Sequence, residues 1–331
     1  MLGKKIRSLS GSKQVLIMTH DTPDPDAVAS AWGLAYLLKK EIHVSSTLTF
    51  GGFIGRAENR AMVNVLRIPI VCFSPLLLEK QYPIIMVDCQ PYTGNSSLPD
   101  EVIPDIVIDH HPLREKTKFK QWAYVNEKIG TTSTIITSSL KERNLPIPAR
   151  LATALFYGIR SETKDLGRKG TRWDYESYLF LLPKVNFKSL YRITHPPLSS
   201  DYYRSVKEAL ERSMVYGPVL TCFLETIPYP ELPAEIADFL IFKENIDFAL
   251  VMGFYRSDIL LSIRSKRTDI NSADIMQDIL KGYGRGGGHG IMAGGKISDV
   301  SASEAKGLAQ IVVERFLKLF SLSGVKGERL I

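Results

Sequence analysis

The chain has 331 residues, 44% of them hydrophobic and 23% charged, with 42 lysines and arginines against 35 aspartates and glutamates. That length favours two domains over one, and the composition is that of a soluble globular protein rather than a disordered or fibrous one. No apolar run reaches the roughly 18–20 residues that cross a bilayer, and the net charge of +7 favours a polyanionic partner.

The start, Met1 to Arg7, is charged, and no apolar leader or small-residue cleavage site follows it. Cys72, Cys89 and Cys222 show no paired spacing. A reduced, cytoplasmic chain is therefore expected, with its thiols in the core. Three short, unbroken apolar runs then mark the first third: Val15–Met18, Ile84–Val87 and Ile106–Ile108. Runs without alternation suit strands buried on both faces of a parallel sheet. Helical patterns at Ala27–Leu38, Thr132–Leu140 and Leu151–Ile159 alternate with them, which predicts a doubly wound, mostly parallel α/β domain. The stretch from Lys184 to Ser200, with Pro196 and Pro197, reads as a linker, followed by helical turns near Tyr202–Met214. The expected domains are thus 1–183, a linker 184–214, and 215–331. The second is a smaller α/β domain with strands Val219–Leu224, Phe248–Phe254 and Ile259–Ile263, helices Ala234–Phe242 and Ala302–Leu319, and a glycine-rich loop. Basic residues cluster at Lys116, Lys118 and Lys120, at Arg168, Lys169 and Arg172, and at Arg264, Lys266 and Arg267. The first cluster reads as a solvated face.

Each early strand runs directly into ionisable residues. The first leads to His20, Asp24 and Asp26, the second to Asp88, the third to Asp109, His110 and His111. Loops at the carboxyl ends of parallel strands converge on one crevice, so these seven groups are expected at one sheet rim. Packed carboxylates and imidazoles repel or strand buried charge unless cations neutralise them. Both are suitable ligands for manganese, magnesium, iron or cobalt, and the lack of cysteine within the cluster argues against structural zinc. Asp88, alone on its strand end, is positioned to bridge two ions, which at ~3.5–4 Å apart could activate water between them.

His20-x-x-Pro23-Asp24-x-Asp26-Ala27-x-x-Ser30 resembles the first motif of the DHH phosphoesterase superfamily. Asp88 matches its second motif, and Asp109-His110-His111 is its naming triplet. Gly130-Thr131-Thr132-Ser133-Thr134 resembles the helix start that follows, with Ser133 an expected substrate contact. Gly158-Ile159-Arg160-Ser161-Glu162-Thr163 departs from the usual Gly-Ile-x-Thr-Asp-Thr. Glu162 stands where the family has an aspartate ligand, with Asp165 one turn on as the other candidate. Arg285-Gly286-Gly287-Gly288-His289 through Gly295 is similar to the DHHA1 signature, and Ser262–Ser265 resembles the strand facing it.

The resemblance, strongest to the NrnA-type oligoribonuclease/pAp phosphatase group, implies a hydrolase with two divalent ions. Manganese is expected, with magnesium or cobalt as alternatives, held by His20, Asp24, Asp26, Asp88, His110 and Glu162. It implies that His111 contacts the scissile phosphate and Asp109 orients an imidazole. Arg264, Arg285, His289 and the backbone of Gly287 and Gly288 would hold the nucleotide's phosphorylated end across an interdomain cleft. Expected substrates are short single-stranded RNA, linear dinucleotides or pAp, and a homodimer is a further implication. Another small phosphate ester or polyphosphate stays open as substrate. So does a nucleotide-binding module whose catalysis is weakened by Glu162.

Overall fold

In the computed structural model the three apolar runs form the middle of a six-stranded parallel sheet. The structure describes residues 2–118, 123–168 and 170–331, the side chains of residues 2, 116, 118 and 289 excepted. Lys120, Lys169 and the side chains of Lys116, Lys118 and His289 therefore lie outside what is described. The chain divides into two units, Met1–Pro196 and Pro197–Ile331. Among the described residues no helix is long and apolar enough to cross a membrane.

The first unit holds strands β1 (Gln14–Met18), β2 (Ser45–Phe50), β3 (Ile70–Cys72), β4 (Ile84–Val87), β5 (Ile106–Asp109) and β6 (Ala123–Val125). Their order is β3-β2-β1-β4-β5-β6. Val15, Ile17, Ile85, Val87, Ile106 and Ile108 enter one core, and Leu16, Met18, Ile84, Met86 and Val107 another. Successive side chains on a strand point to opposite faces, so a sheet covered on both sides needs apolar residues at every position. That is why these runs do not alternate.

The helices are α1 (Leu2–Arg7), α2 (Pro25–Glu41), α3 (Ala57–Leu66), α4 (Glu115–Lys118), α5 (Thr132–Glu142), α6 (Ala149–Glu162), α7 (Arg172–Leu181) and α8 (Phe187–Thr194). α2 begins at Pro25, two residues before the sequence pattern suggested. Proline has a fixed φ and no N–H to lose in the first turn, and Asp24 caps the helix by accepting from Ala27 N at 2.9 Å.

The second unit contains α9 (Ser200–Arg212), β7 (Met214–Tyr216), β8 (Val219–Leu224), α10 (Leu232–Leu240), β9 (Phe248–Tyr255), β10 (Asp258–Ser265), α11 (Ser272–Leu280), β11 (Arg285–His289), β12 (Met292–Ile297), α12 (Ala302–Leu319) and β13 (Glu328–Arg329). The sheet order is β11-β12-β10-β9-β8-β7-β13. Among the described residues of this second sheet only β8 and β9 pair in parallel, and separate cores cover the two faces.

Two expectations need correction. Residues 184–214 are not a linker: α8 buries Leu190 and Ile193 in the first unit's core, α9 buries Ala209 in the second, and the division falls between Pro196 and Pro197. The run Arg285–His289 is not a loop but an edge strand, paired antiparallel with β12 through Gly286↔Gly295 and Gly288↔Ala293. Gly286 and Gly288 serve close packing, while a Cβ on Gly287 would meet nothing within 4 Å. A Cβ on Gly286 would meet Met276 at 2.4 Å, and one on Gly288 would meet the Met292 carbonyl at 2.3 Å. The turn is left to Gly290, at φ +52.

Candidate metal centre in the first unit

The strand order sets β1 beside β4, with the chain leaving in opposite directions across the sheet from that point. The loops after these strands flank the crevice where doubly wound sheets take ligands. His20 follows β1. Its Nδ1 lies 2.8 Å from the Asp21 carbonyl. A carbonyl only accepts, so Nδ1 carries the proton and Nε2 keeps its lone pair. That Nε2 stands 3.8 Å from Asp88 Oδ2 and 4.0 Å from Asp24 Oδ1.

Asp26, in the first turn of α2, is fully buried. Its Oδ2 accepts from Thr132 N and its Oδ1 from Ser133 N, both at 2.8 Å, so the carboxylate seats on the N-terminus of α5. Helix dipole and orphan amides favour an anion there. The approach requires a glycine on α6, since a Cβ at Gly158 would sit 2.4 Å from Ser133 Oγ and 3.3 Å from Asp26 Cα. Ser133 is thus buried and bonded to Asp26 through its amide, with Ser30 Oγ 3.2 Å from its hydroxyl.

Asp88 caps β4 at φ +61, a left-handed conformation that aspartate tolerates better than most residues. It accepts from the Thr132 hydroxyl at 2.7 Å. His110 Nε2 lies 3.5 Å from Asp88 Oδ1 and 3.9 Å from Asp26 Oδ2, and His111 Nδ1 lies 3.9 Å from Asp88 Oδ1. Two triplets of donor groups therefore gather, His20–Asp24–Asp88 and Asp88–His110–His111, with ligand atoms within 4.8 Å of one another in each. Asp88 belongs to both.

Asp109 plays another part. Its Oδ1 accepts from the amides of His110 (2.8 Å) and His111 (3.2 Å) and lies 2.9 Å from His111 Nδ1, while Oδ2 accepts from Gln90 at 2.7 Å. Burial works to raise this carboxyl, but the His111 hydrogen bond and charge, with Gln90 and His110, outweigh it and hold it at about 2. The other acids go the opposite way. Burial, then Asp24, pushes Asp26 up to about 7, and burial with the charges of Asp26, Asp24 and Asp109 holds Asp88 well above the usual range. Burial and the neighbouring His111 bring His110 down to about 4, so it stays neutral and able to donate a lone pair. Clustered buried acids beside the neutral His110 imidazole match the chemistry of a divalent-cation site.

Glu162 closes α6. Burial, followed by Asp24 and Asp26, raises it to about 7, and Arg168 Nη2 reaches its Oε1 at 3.3 Å. It belongs to neither triplet. Asp165 instead pairs with Arg160 Nε at 2.5 Å on an exposed turn, so Glu162 is the candidate beside the acids.

Three residues support the cluster, of which Gln90 and Asp174 were not singled out in the sequence and Thr132 only as part of the Gly130–Thr134 motif. Gln90 braces Asp109, Thr132 Oγ1 braces Asp88, and Asp174 takes the Gly130–Thr134 loop from behind. For Asp174 a signal existed: Thr171-x-x-Asp174 has capping-box spacing, and the box forms.

In the second unit Arg264 and Gly288 line a cavity of about 320 Å³ with Ser262, Leu260 and Pro233. Arg264 is already engaged, its Nε with Asp238 at 2.5 Å and its Nη1 with Ser262 Oγ at 2.7 Å. Arg285 and Gly287 share β11 with Gly288 but do not line that cavity.

Comparison with known proteins follows the same division. Residues 14–159 match the family described as DHH family, N-terminal domain, and residues 218–320 match the DHHA1 domain. The uncharacterized protein MJ1633 of Methanocaldococcus jannaschii is 32% identical over 320 residues, covering 95% of this chain and 65% of that protein. A probable manganese-dependent inorganic pyrophosphatase of Enterococcus faecalis is 27% identical over 150 residues, 45% of this chain and 48% of the relative. The chain thus spans about two thirds or less of these curated relatives. A solved exopolyphosphatase-related protein from Bacteroides fragilis shares the fold at TM-score 0.75, with 16% identity and 96% and 98% of the two chains covered. With a parallel sheet bearing Asp109-His110-His111 at its rim, and both domain models matched in order, the chain belongs to the DHH/DHHA1 superfamily.

Proposed function

We propose that the chain is a metal-dependent phosphoesterase that hydrolyses short oligonucleotides or phosphorylated nucleotides such as pAp. The observation that carries this reading is the sharing of Asp88 by two donor triplets, a geometry suited to a pair of cations. The manganese dependence in a relative's name supports manganese as the ion. Bound there, the cations supply Lewis acidity at the phosphoryl group and a water activated at neutral pH.

The chain's own residues do the rest. His20, with its tautomer set by the Asp21 carbonyl, offers Nε2. Asp24, Asp26, Asp88, His110 and Glu162 complete the donor set. Asp109 orients the His111 ring through Nδ1, leaving Nε2 to meet the scissile phosphate. Ser133 is corrected from a substrate contact to a support of Asp26, because it is fully buried and its amide is bonded to that carboxylate, while Arg264, Arg285, Gly287, Gly288 and His289 remain the proposed contacts to the substrate. Comparing manganese-dependent turnover of pAp, pGpG and pyrophosphate tests the assignment. Release of orthophosphate from pyrophosphate alone would move it to phosphoanhydride hydrolysis, the reading that the pyrophosphatase relative favours.

Metal binding is expected to strengthen with pH. With Asp26 and Glu162 raised to about 7, the stability that these two groups contribute to the metal-free fold is fully present below the ordinary carboxylate pKa. That contribution is lost as pH rises through about 7. Cations bind the ionised forms, so manganese affinity should rise roughly tenfold per pH unit for each proton displaced. Calorimetric titration at acid and mildly alkaline pH checks this, and equal affinity at both would count against the cluster as the binding site.

Arg264→Ala is expected to raise KM about tenfold with kcat little changed, because it removes a cation from a binding cavity rather than from the reacting centre. A collapse in kcat with unchanged KM would place Arg264 elsewhere in the reaction.

A further inference from the structure

Far along the first unit, α8 presents a face unlike an ordinary solvated helix. Leu190 and Ile193 anchor it in the core. On the opposite arc, Phe187 and Tyr191 are 58% and 65% exposed, one turn apart, and His195 continues the row at the C-cap. Tyr191 and His195 stack, with ring centroids 4.4 Å apart and planes 17° from parallel. The imidazole is fixed in that pose, its Nδ1 lying 3.2 Å from the Tyr191 carbonyl and 2.9 Å from the Thr194 hydroxyl. Lys188 and Arg192 form an exposed cationic row beside the rings. Neither makes an ion pair among the described residues, and the helix carries no acid. The four residues Phe187, Lys188, Tyr191 and Arg192 line one shallow depression of about 460 Å³. The neighbouring α3 and its caps add Arg56, Arg60 and Arg67 against the single acid Glu58.

Large exposed rings cost solvation unless something covers them, and scattered single ones need no explanation. A row of three at helical spacing, pre-stacked and flanked by unpaired cations, is different. Rings offer π-faces to bases, cations offer charge to phosphates, and pre-ordering lowers the entropy lost on binding. An apolar protein partner would not need the cations, and a phosphopeptide would not need three rings. We propose that this face of α8 is a docking strip for single-stranded nucleic acid. Bases stack on Phe187, Tyr191 and His195, and Lys188 and Arg192 hold the backbone. The strip goes beyond the hydrolase reading and does not require it, since no metal-centre residue takes part.

The test uses the full chain in EDTA, where hydrolysis is silent. Binding of a fluorescein-labelled single-stranded RNA of about 12 nucleotides is followed by anisotropy across a salt series, with an RNA duplex as control. Wild type should bind the single strand and discriminate against the duplex, whose bases are already stacked. Phe187→Ala and Tyr191→Ala should each weaken binding about tenfold. The pair Lys188→Glu with Arg192→Glu should flatten the salt dependence by roughly 1.4 in log–log slope. All four positions are exposed, so melting temperatures should hold, and manganese-dependent turnover of pAp should match wild type. Unchanged RNA binding in these variants overturns the strip, as does a wild-type dimer that the variants dissolve, which would make the face a self-association surface. RNA binding lost in the variants while wild type hydrolyses nothing would keep the strip and remove the hydrolase reading.

Discussion

Replacing Asp88 by asparagine is expected to lower metal-dependent hydrolysis by about 10³-fold or more while leaving the fold intact. The carboxylate is 1% exposed, lies within 4 Å of His20, His110 and His111, and is shared by both donor triplets. Removing its charge withdraws a ligand from two ions at once. Asparagine keeps the shape, tolerates the left-handed φ of +61, and still accepts from the Thr132 hydroxyl. The loss should therefore be chemical rather than structural. Steady-state turnover and bound manganese per chain should fall together, with the melting temperature of the metal-free protein unchanged or raised, because a buried acid has been neutralised. Full turnover in a correctly folded variant would remove the shared carboxylate from the mechanism.

Asp174→Ala should produce the largest loss of stability, about 3–5 kcal/mol. The side chain is fully buried and accepts from Gly130 N (2.9 Å), Thr134 Oγ1 (2.6 Å), Thr171 N (2.8 Å) and Thr171 Oγ1 (2.7 Å). Alanine would leave these donors without their shared acceptor, the Thr134 hydroxyl in a fully buried position and the others in partly buried ones. For a unit of this size the melting temperature should drop on the order of 10 °C. Asp174 is a positioning residue, because the loop it clamps delivers the Thr132 and Ser133 amides to Asp26 and the Thr132 hydroxyl to Asp88. Manganese affinity should accordingly fall 10–100-fold at temperatures where the variant is still folded. A destabilised variant with wild-type manganese affinity would reduce Asp174 to a plain helix cap.

Much of the rim was legible because chemistry interrupted pattern. Val15–Met18, Ile84–Val87 and Ile106–Ile108 declare buried strands, and the ionisable residues directly after them have nowhere to go but the sheet's carboxyl edge. The polar, alternating β2 run Ser45–Phe50 gave no such contrast and passed unnoticed. The glycines of β11 carry no strand preference, and the close approach of α11 to Gly286 and of β12 to Gly288 is revealed only by the packed fold. In α8 two buried residues, Leu190 and Ile193, are too few to announce a helix beside Pro196 and Pro197. Glu162 and Asp165 could not be separated by spacing, whereas their surroundings differ plainly: buried acids for one, an exposed Arg160 pair for the other.

Asp26, a proposed ligand beside the two donor triplets, also receives the first amides of α5, which makes that helix a natural reporter. A protonated carboxyl holds the Thr132 and Ser133 amides loosely, and an ionised one holds them firmly. Occupancy at the rim should then be readable as slowed hydrogen exchange in a single helical turn, without substrate and without a label.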